Sequence, residues 1–86
     1  MRQIPILKIG EFLLVSIQID LQDQTVVALQ EDLAEEIVRT AARGVIIDIA
    51  AVAIVDSFIG RMFSTIAAMS RLMDAETAVV GLRPAV

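Results

Sequence analysis

Residues 44–60 read GVIIDIAAVAIVDSFIG, and this segment is the most informative one for the fold class. Its first part, Val45 to Ile49, is rich in branched apolar residues, which is typical of a central parallel strand buried on both faces. The apolar segment ends at Asp56-Ser57, and beyond it apolar residues recur at spacings of three and four. That spacing is typical of a helix with one buried face. The stretch therefore predicts a buried strand that leads into a helix from Phe58 to about Met73.

The flanking sequence supplies further strands. Residues 4–9 and 12–19 are two apolar segments separated by Gly10-Glu11, and the second alternates between apolar and polar side chains. This pattern predicts two strands joined by a tight turn, with one face buried. Another short apolar strand is expected at residues 78–81, after a turn at residues 74–76.

An amphipathic helix is predicted between the second and third strands. Its apolar positions recur at spacings of three and four: Val26, Leu29, Leu33, Ile37 and Ala41. Asp23 is expected to be the N-cap, and Gly44 is expected to be the left-handed residue that follows the helix. The acidic residues between the apolar ones are expected to form its solvated face, with a partner contact as the alternative: Glu31, Asp32, Glu35 and Glu36.

The order of elements is strand, strand, helix, strand, helix, strand. This order predicts an α/β fold with a mixed sheet of about four strands, its last three strands joined by helical crossovers that pack on the sheet. We expect residues 1–86 to form a single domain. Pro84 sits where a further helix could begin, so we also expect that a C-terminal helix is missing from this chain.

Composition excludes several classes of protein. The chain has 86 residues and is 57% hydrophobic, more than one small core can hold, so part of this surface is expected to be buried against partners. The longest unbroken apolar run, Ile49 to Val55, has seven residues, far short of the roughly 20 that a transmembrane helix needs. The N-terminus lacks the features of a secretory signal, which predicts a cytoplasmic location.

Charge and missing residue types narrow the chemistry. Seven basic residues against 11 acidic ones give a net charge of −4, which argues against nucleic acid or an anionic membrane as a partner. The chain has no cysteine, histidine, tryptophan or tyrosine. Thiolate nucleophiles, imidazole metal sites and a Ser-His-Asp triad are therefore excluded. We expect no metal, no cofactor and no enzymatic activity.

Ser57 is the residue on which regulatory chemistry could occur. Its place at the start of a helix predicts an N-cap, whose hydroxyl accepts a bond from a free N–H and contributes about 1 kcal/mol. The same place exposes the hydroxyl at the positive end of the helix, where a phosphate would be stabilised. A phosphoserine would add about −1.5 to −2 charges beside Asp56. Both interpretations stay open on these residues alone.

Gly60 falls in the first turn of the same helix, where glycine costs on the order of 1 kcal/mol relative to alanine. One interpretation is that the helix packs closely on a neighbour at this point. The other is that the surface near Ser57 is kept open for a kinase.

The sequence resembles the STAS-domain family, named after sulfate transporters and anti-sigma factor antagonists. The resemblance covers the whole chain through these segments: Ile4 to Lys8, Leu13 to Gln18, Gln30 to Leu33, above all Val55 to Ile59, residues 69–73 and residues 81–86. The general antagonists often have a second serine and a glycine after the phosphoacceptor, whereas Phe58 and Ile59 follow Ser57 here. This departure is typical of the scaffold branch of the family.

The resemblance implies a non-enzymatic scaffold of a large cytoplasmic signalling assembly, the stressosome. Such a scaffold associates with itself and with STAS-domain sensor paralogues, and it holds a switch serine/threonine kinase in check. Phosphorylation of the serine that matches Ser57 releases the kinase, and a reset phosphatase removes the phosphate. Since little sequence precedes Pro5, a scaffold is expected rather than a sensor. We expect the kinase to contact the residues around Ser57: Asp56, Phe58, Ile59, Gly60 and Arg61.

Other functions fit less well. A purely structural oligomer subunit, or a STAS module that binds a small ligand, would use Ser57 only as a helix cap. A receiver-type phosphoacceptor at Asp48 would need an acidic pair after the first strand, and no such pair follows it. We therefore expect the Asp48 carboxylate to accept backbone N–H bonds at the sheet end. A hydrolase would have to use Ser57 with Lys8, and no Gly-x-Ser-x-Gly motif surrounds that serine. The four glycines are too far apart for a phosphate-binding loop.

Overall fold

The computed structural model describes residues 4–17, 23–50 and 57–81. The elements are β1 (Ile6–Ile9), β2 (Phe12–Ser16), α1 (Asp23–Thr40), β3 (Gly44–Asp48), α2 (Ser57–Leu72) and β4 (Glu76–Val80). The predicted order of strands and helices and the α/β class are confirmed. Pro84, where a further helix could begin, and the end of the second predicted strand lie outside the described residues. The absence of a C-terminal helix from this chain stays a prediction.

The four strands form one mixed sheet in the order β1-β2-β3-β4. The hairpin strands β1 and β2 are antiparallel, whereas β2 and β3 are parallel, as are β3 and β4. Parallel neighbours need a crossover connection, and α1 and α2 lie in the two crossovers. The sheet therefore confirms the predicted mixed topology, with β3 as a central strand.

One face of the sheet carries the core. Alternate residues of β2 and β3 are buried together with the apolar stripes of both helices; the largest fully buried ones are Leu13, Val15, Ile17, Leu33, Val45, Ile47, Ile49 and Ile66. The crossovers β2-α1-β3 and β3-α2-β4 step in the same direction along the sheet, so right-handed connections place both helices on the same face. The other face of β3, at Ile46 and Asp48, is only half-buried. The prediction that this strand is buried on both faces is therefore wrong.

The end of α1 also differs from the prediction. The helix ends at Thr40, and Ala41 takes the left-handed conformation with a φ of 52°. Gly44 instead opens β3, where a Cβ would lie 2.8 Å from Cδ1 of Phe12. Gly44 is therefore explained by the close approach of an aromatic ring and not by a helix end.

The acidic face of α1 is only partly solvated. Glu31 and Glu35 are exposed as predicted, but Glu36 is 5% exposed and forms an ion pair with Arg39. The hydrogen bond that Arg39 donates to the Glu36 carboxylate, and secondly the charge of that carboxylate, raise the pKa of the Arg39 guanidinium above its ordinary value. None of the helices in the described ranges has the length and apolar character needed to cross a membrane.

Candidate functional site

Ser57 is the first residue of α2, and it is exposed. The predicted start at Phe58 differs by one residue, which is the usual uncertainty of a helix boundary. The first turn of α2 contains no acidic residue, and the first four N–H groups of a helix have no partner within it. The exposed hydroxyl therefore lies at the positive end of a helix, where an added negative charge is stabilised.

Ser57 shares an exposed face of α2 with two of the residues predicted to contact a kinase. Gly60 and Arg61 follow it by three and four residues, and both are exposed. Residues at these spacings are neighbours on a helix surface. The opposite side of the helix is held in the core by Met62 and Ile66. We call the exposed group of Ser57, Gly60 and Arg61 the Ser57 surface.

Arg61 gives the Ser57 surface a positive charge one turn beyond the hydroxyl. Within residues 4–17, 23–50 and 57–81, its guanidinium has no acidic partner. Its backbone carbonyl accepts a bond of 2.9 Å from the Thr65 hydroxyl, which belongs to the helix itself. The described residues therefore leave the Arg61 guanidinium without an ion pair.

The surroundings of Gly60 bear on the two interpretations of its position. Among the described residues, no atom lies within 4 Å of the point that a Cβ on Gly60 would occupy. Close packing of the helix on one of the described residues is therefore wrong as an explanation. Among those residues, the absence of a side chain leaves the surface between Ser57 and Arg61 open.

The structure describes less of the other three predicted contact residues. Phe58 and Ile59 lie in the first turn of α2, but their side chains are outside what the structure describes. Asp56 lies outside the described residues altogether. The structure thus brings together three of the six predicted site residues, and the roles of all six stay predictions.

Hydrogen bonds hold the carboxyl end of β3, beyond which the chain continues toward Ser57. The Ile17 amide donates to the Asp48 carbonyl, and the Ile49 amide donates to the Val80 carbonyl, each at 3.0 Å. The Asp48 carboxylate accepts a bond of 2.9 Å from the Ala50 amide. This is the backbone contact expected for Asp48. The hydrogen bonds join the carboxyl ends of β2, β3 and β4.

Gly81 is a positioning residue that the sequence reasoning missed. It was predicted to be part of the last strand, but β4 ends at Val80, and Gly81 has a φ of +84°. A Cβ on Gly81 would lie 2.6 Å from the Ala50 nitrogen. A glycine directly after a short apolar strand is a turn signal, and this could have identified it.

No metal cluster accompanies Ser57 in the described part of the chain. No group of three or more acidic side chains comes together there. A shallow groove between α1 and the end of α2 is lined by Ala34, Glu35, Val38, Arg39 and Met73. Met73 follows the far end of α2, about 24 Å along the helix axis from Ser57.

Comparison with known proteins identifies the family. A model of the STAS domain matches residues 3–86. The structure of a variant of RsbS from Moorella thermoacetica, in which glutamate replaces a serine, is 32% identical in sequence, with a TM-score of 0.80. The match covers 95% of this chain and 69% of that one.

A second similar chain comes from a structure described as the molecular architecture of the stressosome, a signal integration and transduction hub. It is 35% identical, with a TM-score of 0.79 over 93% of this chain and 70% of that one.

A third structure, described as a crystal structure analysis of Mglu, has a TM-score of 0.68 but is only 18% identical. It covers 86% of this chain and 18% of that one, and it shows a shared fold alone. No curated protein matches the sequence. The family model, together with the similarity to RsbS over most of this chain, shows that the chain belongs to the STAS-domain family.

Proposed function

We propose that this STAS domain is a non-enzymatic scaffold subunit that binds a switch serine/threonine kinase and releases it when Ser57 is phosphorylated. The observation that carries the proposal is the exposed hydroxyl at the first residue of α2, on one surface with Arg61. The alternative role as a helix cap uses the same position, so phosphorylation has to be tested directly.

The Ser57 surface suits a phosphate physically. A phosphoserine would carry about −1.5 to −2 charges at neutral pH, beside the free N–H groups at the start of α2. Arg61 lies four residues further along the helix, where a guanidinium can form charge-assisted hydrogen bonds to phosphate oxygens. Because these residues are exposed while Met62 and Ile66 hold the helix in the core, phosphorylation would change the surface and leave the fold intact.

The similar structures support a place in an assembly. By our proposal this chain is a single STAS domain that associates with copies of itself and with STAS-domain sensor paralogues in the cytoplasm. Its similarity to RsbS and to a chain of a stressosome structure supports self-association in a large assembly. Glutamate in place of serine, as in the Moorella variant, imitates the negative charge of phosphoserine. By this proposal a reset phosphatase restores the kinase-binding state, and neither nucleic acid nor a membrane takes part.

The phosphorylation step is tested with a switch serine/threonine kinase from the same organism. The protein is incubated with that kinase, ATP and Mg²⁺, and phosphate is located by peptide mass spectrometry. We expect phosphate on Ser57 and none in the Ser57→Ala variant. Ser64→Ala is the matched control, because Ser64 is exposed two turns further along α2 and should not matter. Phosphate on Ser64, or none on a folded protein, would contradict the proposal.

The release step is tested with two variants of similar shape. Ser57→Asp adds a charge. Ser57→Asn introduces a neutral side chain of almost the same size as aspartate, and asparagine also caps helices well. We expect the aspartate to weaken kinase binding in isothermal titration by about tenfold or more, the change that charge repulsion of roughly 1.4 kcal/mol would cause. The asparagine variant should bind like the wild type. Equal binding of the kinase by both variants would show that charge at this position does not release it.

A purely structural subunit is the second candidate, since large apolar side chains of β1 and β2 are exposed: Leu7, Ile9 and Phe12. In that case Ser57→Ala should lower the free energy of unfolding by about 1 kcal/mol and leave kinase regulation unchanged. Under the switch proposal the same variant should keep the kinase bound after stress.

A further inference from the structure

The exposed face of α2 runs the whole length of the helix, and the charges on it are all positive. Residues exposed to solvent recur at spacings of three and four: Ser57, Arg61, Thr65, Ala68 and Leu72. Residues at these spacings lie on one side of a helix. Arg71, beside Leu72, is exposed as well, and α2 contains no aspartate or glutamate. We call this side of the helix the α2 face.

The charge of α2 is opposite in sign to that of the rest of the molecule. Two arginines and no acidic residue give α2 a charge of +2, whereas the whole chain has a net charge of −4. The residues outside α2 therefore carry −6. Such a local reversal of sign favours an acidic partner and steers it to this surface.

The fold uses neither arginine of the α2 face in an ion pair. Within the described ranges, the arginines that pair with a carboxylate are Arg39 and Arg43, and the guanidiniums of Arg61 and Arg71 have no acidic partner. The last turn of a helix favours a cation such as Arg71, whereas the N-terminal end, where Arg61 lies, does not. Arg61 therefore stabilises the described fold through neither an ion pair nor the helix dipole.

The dimensions of the α2 face suit a protein surface. Arg61 and Arg71 are ten residues apart, about 15 Å along the helix axis. The exposed residues between them are small, so a flat surface can approach both guanidiniums: Ser64, Thr65 and Ala68. Leu72 is 88% exposed beside Arg71, and it offers an apolar contact that a protein can use and a nucleic acid backbone cannot. These features favour an acidic protein as the occupant.

We propose that the α2 face binds an acidic surface of the switch kinase, with Arg61 and Arg71 as its two cationic contacts. The inference rests on the proposed function. It adds the chemistry of the kinase surface and a contact at the far end of α2 from Ser57.

Phosphorylation of Ser57 affects the two arginines differently. Arg61 lies one turn from Ser57, where its guanidinium can form charge-assisted hydrogen bonds to a phosphate on that serine. Arg71 lies about 21 Å from Ser57 along the helix axis, beyond the reach of the phosphate. The phosphate therefore takes Arg61 from the kinase and leaves Arg71 in place. Loss of this contact adds to the repulsion between the phosphate and the acidic kinase surface.

The first test measures binding of the kinase to the full chain by isothermal titration at low salt. Arg71→Gln should raise the dissociation constant about fivefold, because one charged contact is lost. Arg71→Lys keeps the charge and should keep most of the binding. Lys8→Gln is the matched control, since it changes the net charge equally and Lys8 is exposed on β1, so it should leave the constant unchanged. Equal weakening by Arg71→Gln and Lys8→Gln, or no weakening by Arg71→Gln, would overturn the proposal.

The second test repeats the titration in the Ser57→Asp background. Arg61→Gln should raise the dissociation constant about fivefold when Ser57 is present. In the Ser57→Asp background it should have an effect of less than about twofold, because the aspartate already engages that arginine. Arg71→Gln should have the same effect in both backgrounds. An equal effect of Arg61→Gln in both backgrounds would show that a negative charge at position 57 does not take Arg61 from the kinase.

The inference and the proposed function fail in different ways. The kinase could phosphorylate Ser57 and be released by Ser57→Asp while neither arginine affects its binding. In that case the α2 face is not the docking surface, and the proposed function stands. A kinase that did not bind the wild-type chain at all would overturn both.

Discussion

Gly81 lies directly against Ala50, and a Cβ on Gly81 would come within 2.6 Å of the Ala50 backbone nitrogen. The same Cβ would lie 2.9 Å from the Asp48 carboxylate oxygen that bonds to that nitrogen. Gly81 follows β4 and Ala50 follows β3, so the contact joins two strand ends at the edge from which the chain continues toward Ser57. Both the crowding and the positive φ at Gly81 require glycine.

Replacement of Gly81 by alanine should therefore destabilise the fold strongly. The left-handed backbone costs an alanine about 1–2 kcal/mol, and the overlap with the Ala50 backbone adds about 1–3 kcal/mol. We expect a loss of about 3 kcal/mol in the free energy of urea unfolding. Gly10→Ala is the matched control, since Gly10 also has a positive φ but no described atom within 4 Å of its Cβ position. It should lose about 1 kcal/mol, and equal losses would exclude crowding as the cause.

The fold was predictable where one local pattern determined each element. Apolar alternation identified β2, and spacings of three and four identified α1 and α2. The errors arose where a neighbour distant in sequence decided the outcome. Gly44 suited a helix end by its residue type, but the ring of Phe12 explains it. The open side of β3 followed from both crossovers lying on one face, which no single segment specifies.

A negative charge at Ser57 should stabilise α2 slightly. The first turn of this helix contains no acidic side chain, and an acidic group there gains about 0.3–1 kcal/mol from the helix dipole at low salt. We expect Ser57→Asp to raise the free energy of unfolding by about 0.5 kcal/mol, and salt should reduce the gain. The neutral Ser57→Asn variant should not show the salt-dependent part. A destabilised aspartate variant would mean that any loss of kinase binding reflects unfolding rather than charge.

The candidate site was predictable only in part. The place of Ser57 at a helix start could be read from the change in apolar spacing after Asp56. Two features of the site depend on how the whole helix is oriented. Arg61 lies without an acidic partner in the described ranges, and Gly60 packs against nothing there. The burial of Glu36 has the same origin, because residue type does not distinguish it from the exposed Glu35 beside it.

Replacement of Ser70 by alanine should not destabilise the protein. Ser70 is 0% exposed on α2, and its hydroxyl has no hydrogen-bond partner among the described residues. Burial of a hydroxyl without a partner costs about 1–3 kcal/mol. Its backbone carbonyl already accepts bonds from the amides of Met73 and Ala75, and alanine would keep these. We expect the free energy of urea unfolding to rise by about 1 kcal/mol, and a loss of similar size would show that the hydroxyl is satisfied after all.

The two arginine ion pairs near the end of α1 should differ in their contribution to stability. Arg39 bonds to Glu36, whose side chain is 7% exposed, whereas Arg43 lies 3.6 Å from Glu11 and both of those side chains are largely exposed. Removing one partner from a buried carboxylate is costly, but an exposed pair contributes about 0–1 kcal/mol. Arg39→Met should therefore lower the urea midpoint more than Arg43→Met does. Methionine is used at both positions because it removes the charge and keeps an unbranched apolar side chain.

The effect of Arg39→Met should not vary with pH in the neutral and mildly alkaline range. The hydrogen bond that the Arg39 guanidinium donates to Glu36 raises the pKa of that guanidinium above its ordinary value. A group whose pKa is raised in the folded state stabilises the fold fully at every pH below its pKa in the unfolded chain. This stabilisation is lost only as the pH rises through its pKa in the folded state. Since both values lie in strong alkali, the difference between the two arginine variants should be the same at pH 7 and pH 9. A difference that disappeared by pH 9 would mean that another group controls the pair.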